Sequence, residues 1–135
     1  MSKPREPWWG YVKNVLRAYP DYRRELARLR SSVAITPRYN ANGGGSGISM
    51  PTEDLAMREL PRKEQLRLEA VERAIAETKR LPNGIWRVSI IERVYFLRKS
   101  HTLQGAADYC HVSYGAAKEW HGDFIRLVAD HLGLL

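Results

Sequence analysis

Apolar residues recur at intervals of three and four along most of this chain, the spacing of an amphipathic helix. From Trp8 onward, apolar side chains follow this spacing as far as Tyr19, and Pro20 is predicted to end the first helix. Asp21 can cap a second helix, because its carboxylate can accept a hydrogen bond from an unpaired backbone N–H. The pattern therefore predicts a helical hairpin within residues 1–35.

Residues 36–50 break this pattern, since three consecutive glycines followed by Ser-Gly form a linker by composition. Helical periodicity returns from residue 51 and is interrupted by Pro61, which predicts a kink or break near Leu60. A strongly charged helix follows, without the sustained heptad that a coiled coil needs. We expect this helix to pack on its own C-terminal domain, a helical unit that spans residues 51–135.

Residues 102–126 contain two short apolar stripes separated by a turn, the spacing of a helix-turn-helix. Ser113 is predicted to cap the second helix, and His111 stands in the turn, where its residue type tolerates a left-handed backbone. Ala107 and Ala117 are small enough to let two steeply crossing helices approach. Any two amphipathic helices around a turn would share some of these features. The positions of the apolar residues fit a helix-turn-helix more specifically than the residues of the predicted DNA-binding face do.

In a helix-turn-helix, the N-terminal end of the second helix enters the major groove of DNA. We predict that this end contacts base edges and that polar residues around the first helix contact phosphates. The candidates at the base edges are Ser113, Tyr114, Lys118 and Glu119, and Gly115 belongs to the same DNA-binding face. The candidates at the phosphates are Thr102, Gln104, Arg98 and Lys99. Glu119 and Asp123 bring negative charge to this helix, although a carboxylate can accept a hydrogen bond from cytosine N4.

The net charge of the chain also favours DNA as the partner. The formal net charge is +7, which favours an acidic ligand such as double-stranded DNA. Residues 1–40 hold nine basic and three acidic side chains, so most of this excess lies outside the predicted DNA-reading helix. We expect much of the phosphate attraction to come from this basic N-terminal region.

Several classes of protein are disfavoured. The single cysteine, Cys110, excludes an internal disulfide, fits a reducing cytoplasm and is predicted to be a small buried side chain. No apolar run approaches the ~18 residues that a membrane span needs, and the N-terminus is too polar for a signal peptide. The four histidines share no helical face and complete no metal set, and no catalytic constellation is apparent. We therefore expect a cytoplasmic protein that is not an enzyme and has no cofactor, metal or membrane partner.

Two segments carry a resemblance to known families. LPNGIWRVSIIERVYF and TLQGAADYCHVSYGAAKEWHGDFIRLVADHLGLL resemble region 4 of the bacterial sigma-70 family. The whole layout is similar to the RinA- and ArpU-like phage transcriptional regulators, with an aromatic-rich start (YVKNVLRAYP), a Gly/Ser linker, PTEDLAMREL, a charged helix and a tryptophan where Trp120 stands. The resemblance covers nearly all of the chain. It implies an all-α fold, activation of late phage genes, and DNA recognition by the helix that begins at Ser113.

We therefore predict a phage- or prophage-encoded, sequence-specific DNA-binding transcriptional regulator in the bacterial cytoplasm, as a monomer or weak homodimer. One alternative is a DNA-packaging recognition subunit of the small-terminase kind, which would assemble into a ring. Another is a protein-interaction module that docks on host RNA polymerase or a sigma factor.

Overall fold

The computed structural model describes residues 6–35 and 60–135 of the chain. All regular structure within these two ranges is helical, as the sequence predicts. The predicted linker at 36–50 and the predicted helix start at 51–59 lie outside the described residues. The helices are α1 (Trp9–Ile35), α2 (Arg62–Lys79), α3 (Gly84–Ile91), a π-helical turn (Glu92–Phe96) that continues α3, α4 (Leu103–Cys110) and α5 (Tyr114–His131).

The predicted helical hairpin at the N-terminus is wrong, because α1 continues through Pro20. A proline inside a helix removes one backbone hydrogen bond and costs about 3 kcal/mol or more. Contacts with α2 on both sides of the proline offset this cost. Tyr19 Oη and Arg23 Nη1 donate to the same oxygen of Glu72, at 2.9 and 2.8 Å. Burial, and then the charge of Glu72, raise the pKa of Tyr19, so the phenol keeps the proton that it donates.

The charged helix α2 begins directly after Pro61, as the predicted break near Leu60 requires on its C-terminal side. Val71 and Ala74 on this helix are fully buried. Both belong to the main core cluster, together with residues of the C-terminal helices. The expectation that this helix packs on the C-terminal part of the chain is confirmed.

The apolar face of α1 belongs to the same core. Val12 and Leu16 are fully buried, and Val15 is 3% exposed. They share a cluster with buried residues from α2, α3, the π-helical turn and α5, namely Ala70, Val71, Ala74, Ile91, Tyr95, Phe124, Ile125, Val128 and Ala129. The basic N-terminal region is therefore joined to the C-terminal helices by apolar packing along α1.

We expect Leu16→Ala to lower the free energy of unfolding by about 2–5 kcal/mol, because it removes a fully buried side chain and leaves a cavity. Leu66→Ala on α2 is a matched control, since Leu66 is 45% exposed and its truncation should cost much less. Urea unfolding followed by circular dichroism measures both changes. Equal losses for the two variants would contradict the packing of α1 in the core.

The close approach of α2 to α3 depends on a glycine. A Cβ atom added to Gly84 would lie 2.6 Å from the carbonyl oxygen of Thr78 and even closer to that of Lys79. Both are backbone atoms, so neither can rotate away. The preceding Asn83 has a left-handed backbone with φ 61°, which completes the turn between α2 and α3.

We expect Gly84→Ala to lower the free energy of unfolding by about 1–3 kcal/mol through this overlap. Gly115→Ala provides the control, because the nearest heavy atom to its added Cβ is 4.0 Å away and alanine favours a helix by up to about 1 kcal/mol. Thermal unfolding should therefore shift in opposite directions for the two variants. A Gly84→Ala variant as stable as the wild type would show that α2 and α3 are farther apart.

Candidate nucleic-acid interface

Helix α4 and the turn after it lie within the predicted range 102–126, and α5 begins within this range but continues to His131. Thr102 and Ser113 cap the N-termini of the two helices, since each hydroxyl oxygen accepts a hydrogen bond at 3.0 Å from the backbone N–H three residues later. His111 ends α4 with a left-handed backbone at φ 59°. The predicted Ser113 cap and the left-handed turn are confirmed. That this pair of helices binds DNA stays a prediction.

Small side chains lie where α4 meets α5. Ala106 and Ala107 on α4 and Ala117 on α5 are fully buried, and Cys110 is 4% exposed. Ile90 on α3 completes this second core cluster. The pair of helices is therefore supported from behind by α3, and the prediction that Cys110 is a small buried side chain is confirmed.

The N-terminal half of α5 carries an exposed face. Tyr114 is 43% exposed, and Gly115, Lys118 and Glu119 are also exposed. Gly115, Lys118 and Glu119 follow Tyr114 by one, four and five residues, which places all four on one side of the helix. Ser113 is exposed just before them, and a hydroxyl that accepts one hydrogen bond can still donate its own proton.

The predicted phosphate contacts lie on and just before α4. Arg98 and Lys99 are exposed on the segment that leads into this helix, and Thr102 and Gln104 are exposed at its start. Gln104 Nε2 donates to Asp108 Oδ1 at 3.0 Å, which orients its amide along the helix surface. All four side chains are accessible to a ligand.

A cleft of about 750 Å³ lies between α1 and the N-terminal half of α5. Tyr114, Lys118 and Glu119 contribute to its lining from α5, and Lys13 and Arg17 contribute from α1. None of the four predicted phosphate contacts lines it. The sequence places the basic excess in the N-terminal region but does not show that it lies beside α5, because contact between helices about a hundred residues apart leaves no local pattern.

Aromatic side chains form part of the lining of this cleft. Tyr95 Oη and His121 Nε2 are 2.6 Å apart, and the two rings stack with centroids at 5.7 Å. Trp9 packs against His121 edge-on, with the ring centroids 6.1 Å apart. His121 therefore links the π-helical turn, α5 and α1. The ten-residue spacing of the histidines gave no indication of this structural role.

The negative charge of Asp123 is compensated locally. Asp123 Oδ2 lies 3.4 Å from Arg87 Nη1, and Asp123 Oδ1 lies 3.6 Å from Arg126 Nη1. The guanidinium of Arg87 also lies over the ring of Trp120, 5.4 Å from its centroid. Of the two carboxylates expected to repel phosphate, Glu119 is therefore the one that belongs to the exposed face of α5.

No protein-family model matches this chain, and neither a curated protein nor a solved structure matches it. Within residues 6–35 and 60–135, no group of three or more His, Cys, Asp or Glu side chains is arranged to hold a metal ion. None of the helices in these ranges has both the length and the apolar character needed to cross a bilayer.

Proposed function

We propose that this protein is a sequence-specific, DNA-binding transcriptional regulator in which α4 and α5 act as a helix-turn-helix. The observation that carries the proposal is the division of α5 into two faces. Its buried face crosses α4 through alanine side chains, and its exposed face lies at the N-terminal end. A helix supported in this way can project its first turns into a major groove. The resemblance to the RinA- and ArpU-like regulators supports late phage genes in a bacterial host as its targets.

The exposed side chains of α5 have the chemistry for base contacts. Lys118 can donate to guanine O6 and N7, and Glu119 can accept from cytosine N4. Tyr114 can offer both a hydroxyl and an apolar ring, and it is flanked by Ser113 and Gly115. The proposed phosphate contacts, which fix the register on DNA without reading sequence, are Arg98, Lys99, Thr102 and Gln104.

The proposal is tested by selecting preferred sites from a pool of random DNA duplexes with the wild type and three variants. We expect Lys118→Ala to weaken binding to the preferred site by about 1–3 kcal/mol, and Tyr114→Ala to change the preferred bases. Glu119→Gln should bind all sequences more tightly and discriminate less among them, because it removes a charge that repels phosphate.

Asp130→Asn on the same helix is the matched control for Glu119→Gln. It makes the same change of charge at an exposed position about 16 Å farther along α5. It should leave both affinity and preference unchanged. If folded Tyr114, Lys118 and Glu119 variants all keep the wild-type preference, α5 is not the DNA-reading helix.

A second candidate function is docking on RNA polymerase, and an exposed apolar patch favours it. Leu81, Ile85 and Trp86 are 43%, 75% and 51% exposed, and they are close in sequence around the turn between α2 and α3. Exposed apolar side chains that are grouped in this way are typical of protein interfaces.

We expect Trp86→Ala to reduce capture of purified bacterial RNA polymerase if this patch docks, since truncating an aromatic anchor commonly costs more than 1 kcal/mol of binding. The same variant should leave DNA selection unchanged. A wild type that binds the polymerase but selects no DNA sequence would favour the docking function over the regulator. Failure of the wild type to bind the polymerase would exclude this second candidate.

A further inference from the structure

The cleft between α1 and α5 has basic side chains on both sides. Lys13 and Arg17 contribute from α1, and Lys118 and Arg126 contribute from α5. Two glutamates also line it, so the ionised side chains of its lining carry a net positive charge. A concave surface with an excess of one charge concentrates ions of the opposite sign.

The basic side chains of α1 have a well-defined position. The neighbouring Val12 and Leu16 are fully buried, so the helix that carries Lys13 and Arg17 is packed against the core. The guanidinium of Arg17 lies 5.8 Å from the ring centroid of Tyr95, and that of Arg126 lies 5.9 Å from the ring of Trp9. Packing on aromatic faces reduces the side-chain entropy that an arginine loses when it binds an anion.

Lys118 belongs both to the exposed face of α5 and to the lining of the cleft. The major groove is about 12 Å wide, and a helix that enters it has a sugar-phosphate strand on each side. If the exposed face of α5 lies in the groove, the strand on the α1 side has to pass beside Lys118, where the cleft lies.

We propose that this cleft holds one sugar-phosphate strand of the DNA, with phosphates contacted by Lys13 and Arg17. This inference rests on the proposed function, because it takes α5 as the helix in the major groove. It assigns to α1 a phosphate-binding role separate from the base contacts of α5. A free phosphate-bearing small molecule would have the same chemistry, so the experiment has to distinguish the two sources.

The experiment measures DNA affinity as a function of salt for the wild type and for the double variant Lys13→Gln, Arg17→Gln. The slope of log affinity against log salt is negative, and each lost phosphate contact should reduce its magnitude by about 0.9. At 0.1 M salt, this corresponds to roughly eightfold weaker binding for each contact. The loss should be equal for preferred and random DNA, because phosphates carry no sequence information directly.

Two control variants isolate the effect. Arg28→Gln removes one charge from the same helix, about 16 Å beyond Arg17, which exceeds the screening length of about 10 Å at 0.1 M salt. It should leave the slope unchanged. Arg17→Lys keeps the charge and should retain most of the slope. Circular dichroism checks that each variant is folded, which is expected because Arg17 and Arg28 are exposed and Lys13 is partly exposed.

Suppose that the double variant keeps the wild-type slope and that Lys118→Ala binds DNA more weakly than the wild type. This result would overturn the inference and leave the proposed function standing. A wild type without measurable DNA binding would overturn both. The third arm is calorimetric titration with inorganic phosphate in the absence of DNA. Phosphate binding that is lost in the double variant, with no change in the DNA slope, would assign the cleft to a free anion and overturn the inference.

Discussion

The apolar contact between α1 and the helices of the C-terminal part is the interaction on which the rest of the structure depends. Val12 and Leu16 are buried in one cluster with Phe124 and Ile125 of α5. Full burial of side chains of this size stabilises a fold by about 1.5–3 kcal/mol each. The contact also has a geometric consequence. It brings a basic helix beside the exposed N-terminal half of α5 and so forms both sides of the cleft.

The elements that could be predicted from the sequence are those fixed by local interactions. The Ser113 hydroxyl accepts a hydrogen bond from a backbone N–H three residues later, so the residue type and the following periodicity are enough to locate this cap. Thr102 makes the same kind of hydrogen bond, although it is predicted from the sequence only as a phosphate contact. His111 ends α4 with a left-handed backbone, which its residue type tolerates. The small residues Ala107 and Ala117 could be assigned to the crossing because their size is itself the requirement for close approach.

The features that could not be predicted depend on partners distant in sequence. Pro20 is a valid helix terminator in isolation, but α1 passes through it. The residues on either side of this proline, Tyr19 and Arg23, both bind Glu72, which is about fifty residues away in the sequence. In the same way, the charge count located the basic residues but not their neighbours. Nothing in the sequence around Arg17 indicates that it lies over Tyr95 or beside the start of α5. Of the candidate site, therefore, the α5 face could be derived from the sequence and the α1 side could not.

The balance of charge on α5 explains why a second helix is needed for the proposed function. Between Tyr114 and Arg126, the two basic side chains are matched by two acidic ones, so this part of the helix has no net charge when its histidine is neutral. Such a helix can choose among sequences through its hydrogen-bonding groups but gains little from counterion release. In the proposed complex, the basic residues of α1 would add to the phosphate contacts of Arg98 and Lys99 and supply the charge that α5 lacks. In the proposed complex, mutations of the basic residues of α1 would change overall affinity without changing sequence choice, provided that the core contact between the helices is kept.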